Sequence, residues 1–546
     1  MAFTELVSNY YRAWFRFHPE LAVNVGEAGY EDLLTPYSDD DIGALITLNE
    51  SLLSSLQEMD MEELSAEEKI DFNILYSATA NELHDLFEND WRYQNPEVYL
   101  PINAIHQLLT RPVNNFHAAV KHRLQAIPAY LRGAKTFVRQ QPEKIPPVWL
   151  ESAIAQGKAG VDFLLNLDQH PVVLKKFDNP RRLHEFSEEA SAAVRDFVSF
   201  LEKDIQPPAK GEFACGRKKF DRLLKEIHFL DLDADQLHAF GKNLFTKTRQ
   251  QLDELLNGQS LTDALSQIKT NTSDKVHLLD NYRQSINAAL DFIRKKDLVS
   301  IPELQHLSVV ETPAFLKHEI PFAAYDDPVR NDPEQHGYYY VTVPENEEGF
   351  EEHNITSIDL TSVHEAYPGH HLQFSVANTT DNANSLVRVL NATSTFYEGW
   401  ALYCEEMMVE QGYLNRPEHK VVMLRDRLWR ALRIMIDVEI QTRGLSLDDA
   451  AEKLCYELGF EPDQARGELN WYSFAPTVPM SYATGWALIR SMREVMEATP
   501  EFSLKQFHDD LLSAGSVALP LVMRARFGDA AWQVVSKQLL ENSEKA

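Results

Sequence analysis

Ten consecutive residues, His364-Glu365-Ala366-Tyr367-Pro368-Gly369-His370-His371-Leu372-Gln373, bring imidazoles and a carboxylate together where a hydrophobic core needs neither. Zinc takes imidazole nitrogen and carboxylate oxygen in a tetrahedral shell, and a hydrolytic site keeps one position open for water. Two histidines and one glutamate fill the other three. A second carboxylate one hydrogen bond from that water serves as general base.

The spacing departs from the usual helical arrangement, in which two histidines four apart project from one face. At roughly 100° per residue, His370 falls on the far side of an undistorted helix from His364, and His371 falls nearly in line with it. Pro368 cannot donate its amide and Gly369 tolerates unusual dihedrals, so a kink or bulge there could re-aim His370. Geometry alone leaves the second histidine ligand open between His370 and His371.

Downstream of His370 comes Phe396-Tyr397-Glu398-Gly399-Trp400-Ala401-Leu402-Tyr403-Cys404-Glu405. On a helix Glu398, Leu402 and Glu405 share one face, pointing carboxylates in one direction from an otherwise apolar segment. Such a carboxylate is costly to bury unless it is paired or bound to a metal.

The pattern His-Glu-x-x-Pro-Gly-His-x-x-Gln at 364–373, with Glu-Gly-Trp-Ala-Leu-Tyr at 398–403, resembles the two signatures of the DUF885 family. These are large, mainly helical bacterial proteins regarded as zinc metallopeptidases of the gluzincin kind. The resemblance implies one zinc ion per chain, held by His364, His370 and Glu398. It makes Glu365 the base, His371 a neighbour of the ligands, and Glu405 a group that orients a liganding histidine from behind. Further along, Arg430 and Arg433 match family positions on a helix expected over 425–441, and a guanidinium there could clamp a substrate carboxylate. The remaining arginines read as solvated or ion-paired. Where relatives often carry a histidine this sequence has Gln441, so any role of that histidine is in doubt here. Tyr482 and Gly485 resemble a Ser-Tyr-x-x-Gly element, in which the tyrosine hydroxyl could donate to an oxyanion. His508 resembles a Phe-His-Asp element and reads as a capping or core histidine. Looser likenesses at His18-Pro19-Glu20, Gly26 and Arg123 to Leu131 extend the resemblance along nearly the whole chain.

The elements that must position these residues are mostly helices. The 546 residues exceed what one small core requires, so two lobes are expected, a helical one over 1–295 and a catalytic one over 296–546, probing a deep cleft at the metal site. Residues 1–295 read as successive amphipathic helices, with Pro128 and Pro147 marking helix starts. Between 300 and 350 prolines and aromatics cluster, and Tyr338-Tyr339-Tyr340-Val341-Thr342-Val343 has strong strand propensity. The fold class expected is therefore mainly α with a small β element beside the cleft. That strand either pairs with an extended substrate or belongs to a plain hairpin. Thr361 and Ser362 sit where they could help begin the helix of His364.

A net charge of −31 argues against nucleic acid or an anionic membrane as partner. Three widely spaced cysteines, Cys215, Cys404 and Cys455, form no disulfide framework. No basic-then-apolar leader and no membrane-length apolar run is found, so a cytoplasmic protein is expected. The function expected is zinc-dependent hydrolysis of peptide or amide bonds, with a peptide or small amide as partner. The alternative is a helical protein that binds metal or peptide without turnover. A di-iron oxidase would need Glu-x-x-His on two helices, and the pattern occurs once, at Glu303 and His306. A serine hydrolase lacks its Gly-x-Ser-x-Gly elbow. The direction of cleavage and the oligomeric state stay open.

Overall fold

The computed structural model describes residues 2–544 except 178–180, 314–315, 318–319, 321, 331, 347 and 381–384. The chain is mainly α-helical, with one small three-stranded sheet. It divides into two compact units, one formed by residues 1–213 with 329–332 and the other by 214–328 with 333–546. Residue 295 lies inside the second unit, in the last turn of helix Leu278–Lys296, after which a left-handed Asp297 turns the chain toward the first strand.

Among the described residues, the regular elements of the first unit are all helices, joined by turns and loops. Ser38 and Ser65 open helices Asp39–Gln57 and Ala66–Glu88 with reciprocal capping boxes, each satisfying orphan amides of the first turn. Pro147 stands at the first position of helix Pro147–Leu165, where its missing N–H costs nothing. Pro128 is different. It lies inside helix Phe116–Val138, which starts after Asn115, so the helix start expected at Pro128 is corrected. Leu124, Ile127, Leu131 and Ala134 are all essentially buried on that helix, and burial of a Leu or Ile side chain, about 1.5–3 kcal/mol each, outweighs the ~3 kcal/mol an internal proline costs.

The second unit holds all the candidate site residues. The sheet consists of β1 (His306–Glu311), β2 (Ala323–Asp326) and β3 (His336–Val341), in the order β1-β3-β2. β1 runs parallel to β3 and β2 antiparallel to it. Tyr325 on β2 pairs with Tyr339 on β3, so both rings leave the same face. Because β3 is the central strand, its backbone groups are taken up by its two neighbours. It cannot pair with an extended substrate, which corrects that reading of Tyr338 to Val341.

The helix bearing His364 runs from Ile355 to Glu365, and its cap is Asn354, whose Oδ1 accepts from the Ser357 amide at 2.9 Å. Thr361 and Ser362 therefore lie in its second half rather than at its start. Among the described residues no helix is long and apolar enough to cross a membrane.

Candidate metal centre

Helix Ile355–Glu365 stops one residue after His364, and a new helix, His370–Thr379, begins four residues later. The turn between them, Ala366 to Gly369, folds back onto the first helix, with the Gly369 amide donating to Val363 O at 3.0 Å. Gly369 is there because nothing larger fits: a Cβ would lie 1.8 Å from His364 O and 2.4 Å from Val363 O. Trp400 holds the turn from the other side, its Nε1 donating to Pro368 O at 2.9 Å. The kink anticipated from Pro368 and Gly369 is thus a full break and restart, and it re-aims His370.

The consequence is a cluster of three. His364, His370 and Glu398 each offer one ligand atom, all within 4.8 Å of one another. The Nε2 atoms of His364 and His370 lie 3.5 and 3.4 Å from Glu398 Oε2. A tetrahedral ion with ligands at about 2.0–2.1 Å sets neighbouring ligand atoms roughly 3.3–3.4 Å apart. These separations match that figure and exceed the roughly 2.7–2.9 Å of a charge-assisted hydrogen bond. Glu398 Oε2 is buried and has no hydrogen-bond partner. The side chains of the three are only 8, 9 and 13% exposed. An orphaned carboxylate oxygen aimed at two imidazole nitrogens in a dry site fits a divalent cation held between them.

Behind His364, Nδ1 donates to Glu405 Oε1 at 2.8 Å, and Glu405 is 2% exposed. That bond favours the proton on Nδ1 and leaves Nε2, the nitrogen facing Glu398, available as a ligand. Burial works against a charge on His364, but the Glu398 and Glu405 carboxylates beside it prevail and raise its pKa to about 10. For Glu398 burial works the other way, and the two imidazoles outweigh it to hold the carboxyl far below its ordinary range. A cation entering this site would have to displace a proton from it, so its binding would weaken as pH falls.

His371 does not join the cluster. It is fully buried, with Nε2 donating to Gln305 Oε1 at 2.9 Å and Nδ1 accepting from Tyr325 Oη at 3.0 Å. Burial, then the nearby His306 and His336, push its pKa down to about 3, so it stays neutral with both nitrogens engaged. It ties the sheet to the second helix, and Tyr325 stacks toward His370 at 6.2 Å. The small β element is therefore beside the site.

Glu365 ends its helix next to His364. Burial raises its carboxyl pKa, opposed chiefly by His364 and His370. Tyr482 stacks on His364 at 6.5 Å. Burial and the Glu398 carboxylate push its hydroxyl well above the ordinary tyrosine range, so it remains a donor. It reaches this place because helices Ser394–Glu410 and Ser481–Glu497 meet backbone to backbone. A Cβ on Gly399 would lie 2.5 Å from the Gly485 backbone, and one on Gly485 would lie 1.9 Å from Thr395 O.

Helix Pro417–Thr442 carries both predicted arginines. Arg433 donates to Tyr472 Oη at 2.7 Å and to Glu468 Oε2 at 2.9 Å, and its guanidinium lies 4.6 Å over the Tyr482 ring. Arg430 stacks on Trp429 at 4.6 Å and is near enough to lower the pKa of Glu365. Gln441 is a framework residue, its Oε1 accepting from the Cys215 amide and its Nε2 donating to Tyr472 O. His508 is a core histidine between Tyr403 Oη and Leu298 O. The rival di-iron pattern fails, since Glu303 precedes β1 and His306 opens it. Sequence reasoning missed Gln305, Tyr325 and the role of Trp400. Trp400 carried a signal as part of the second motif, whereas Gln305, just before β1, and Tyr325, on the four-residue β2, carried none.

The profile of a family described as bacterial protein of unknown function (DUF885) matches residues 19–525. The chain belongs to the DUF885 family. Two solved structures share the DUF885 chain's fold. One is a candidate lipoprotein of unknown function from Shewanella oneidensis, with TM-score 0.77 and 19% identity over 96% of this chain and 99% of that one. The other is a candidate lipoprotein from Colwellia psychrerythraea, with TM-score 0.79 and 17% identity over 100% of this chain and 99% of that one. An M32 carboxypeptidase from Deinococcus radiodurans R1 aligns over 99% of each chain at TM-score 0.40 and 11% identity, a likeness too loose to bear on function. No curated protein matches the chain by sequence.

Proposed function

We propose that this DUF885 chain is a zinc-dependent hydrolase that cleaves peptide or related amide bonds with Glu365 as general base. The observation that carries the reading is the His364, His370 and Glu398 triad at ligand spacing, with Glu405 bonded to the back of His364. Zinc in such a site supplies Lewis acidity, lowering the pKa of a water toward neutrality and polarising a carbonyl.

The chain's own groups do the rest. Glu405 keeps the His364 proton on Nδ1. Glu365, its pKa raised by burial, takes the proton of the attacking water and returns it to the leaving nitrogen. Tyr482 stays protonated and donates to the oxygen on which negative charge develops. Arg433 over its ring favours that donor role. Short peptides or small amides are the proposed substrates, because the ligating side chains are nearly closed off from solvent. Cys215, Cys404 and Cys455 form no disulfide among the described residues, which fits a reducing compartment, and we place the enzyme in the cytoplasm, with cell fractionation as the check.

The test is elemental analysis of the native chain, Glu365→Gln and Glu398→Ala, with a mixed peptide library assayed alongside. We expect about one zinc per chain, retained without turnover in Glu365→Gln and lost or weakened in Glu398→Ala. No metal in any form after zinc is added back would sink the mechanism. Metal bound without turnover by the native chain would instead favour a binding protein.

A further inference from the structure

The charges around Glu365 bear on which end of a peptide the site receives, given the hydrolase reading above. On helix Pro417–Thr442 the guanidinium groups of Arg430 and Arg433 both lie over Trp429, and that of Arg433 also over Tyr482, which stacks on His364; the two arginines differ. Arg433 is committed to Tyr472 and Glu468. Arg430 is not so committed. The carboxylate it pairs with, Asp426, is shared: Oδ1 lies 2.9 Å from Arg425 Nε, while Oδ2 is 3.6 Å from Arg430 Nη1. One carboxylate thus faces two guanidinium groups. Arg430 has besides only a long contact to Asp426 O at 3.4 Å and the face of Trp429. Its Nε is buried without a hydrogen-bond partner, on a side chain 12% exposed. A guanidinium this far from water with an unbonded nitrogen is costly unless an anion completes it.

We propose that Arg430 receives the free α-carboxylate of a peptide, so that the enzyme releases residues from the carboxyl end. A planar guanidinium matches a carboxylate edge to edge, and a guanidinium at this place repels the ammonium of an amino-terminal residue. In the reaction the last peptide C–N bond breaks and a C–O bond forms from water. The proton that Glu365 takes from that water goes to the departing nitrogen, giving a shortened peptide and one amino acid.

The experiment uses tetrapeptides of mixed sequence with a free or an acetylated amino end, each with a free carboxylate or a carboxyl-terminal amide. Their binding to zinc-loaded Glu365→Gln is measured by calorimetry, and their cleavage by the native enzyme by mass spectrometry. We expect the acids to bind at least about tenfold tighter than the amides, and single residues to be lost from the carboxyl end. Adding Arg430→Gln should erase the difference with the zinc content unchanged, and Arg430→Lys should restore part of it. Equal binding and cleavage of acids and amides would overturn the proposal and leave the hydrolase reading intact. So would cleavage that requires a free amino terminus. Failure of the zinc-loaded native enzyme to cut any peptide would overturn both.

Discussion

Replacing Gly369 by alanine tests whether the break between two helices makes the metal centre. The new Cβ would start 1.8 Å from His364 O, and Cβ atoms essentially never come within 3.0 Å of a heavy atom. The second helix must therefore retreat by roughly 1.2 Å, the gap between those two figures, because backbone on both sides cannot rotate away. His370 is the first residue of that helix and moves with it, while His364 and Glu398 stay on helices packed elsewhere. A ligand displaced by about an ångström from near-ideal tetrahedral geometry should cost on the order of 100-fold, about 2.7 kcal/mol, in zinc affinity. The assay is competition with a chromophoric chelator, run beside thermal unfolding of the metal-free proteins. Zinc affinity within about threefold of native in a folded Gly369→Ala protein would refute the account of how His370 is aimed. A loss confined to melting temperature would refute it as well.

Three further outcomes follow from the same geometry. Glu405→Gln keeps a hydrogen bond to His364 but removes its charge, and should weaken zinc binding by about 10- to 100-fold in the same competition assay. Tyr482→Phe should lower kcat by about 100- to 1,000-fold with little change in KM, read from steady-state kinetics on a cleaved peptide, if its hydroxyl meets the oxyanion. Burial holds the pKa of His508 down at about 4, so it stays neutral in the fold while its unfolded form protonates near 6.5. The unfolded chain then binds the extra proton between those values, and the metal-free protein should lose stability as pH falls from 6.5 toward 4, by up to about 3 kcal/mol from this group. Urea unfolding across that range should show a shallower slope in His508→Gln, and an unchanged slope would count against it.

Composition and pattern were enough to specify a mainly helical chain with a small β element, since apolar periodicity and a run such as Tyr338 to Val343 report local preference directly. They also singled out the residues with ligand chemistry, because carboxylates and imidazoles in apolar helices have little reason to be there without partners. Glu398 and Glu405 were legible in this way: seven residues apart on one helix, they face one direction whatever the rest of the fold does. The choice between His370 and His371 was not legible in helix geometry and rested on the family resemblance. It depends on a helix ending at Glu365 and restarting at His370, which is set by contacts of Gly369 with Val363 and of Trp400 with Pro368, the second across more than thirty residues. The place of Tyr482 depends likewise on two glycines, Gly399 and Gly485, letting distant helices touch. Pro128 shows the converse, a strong local signal overruled by burial of the helix around it. Local sequence fixes which groups exist and which face of a helix they share, because those follow from bonded geometry. Which groups converge on one point is a property of packing, and only the tertiary structure decided it.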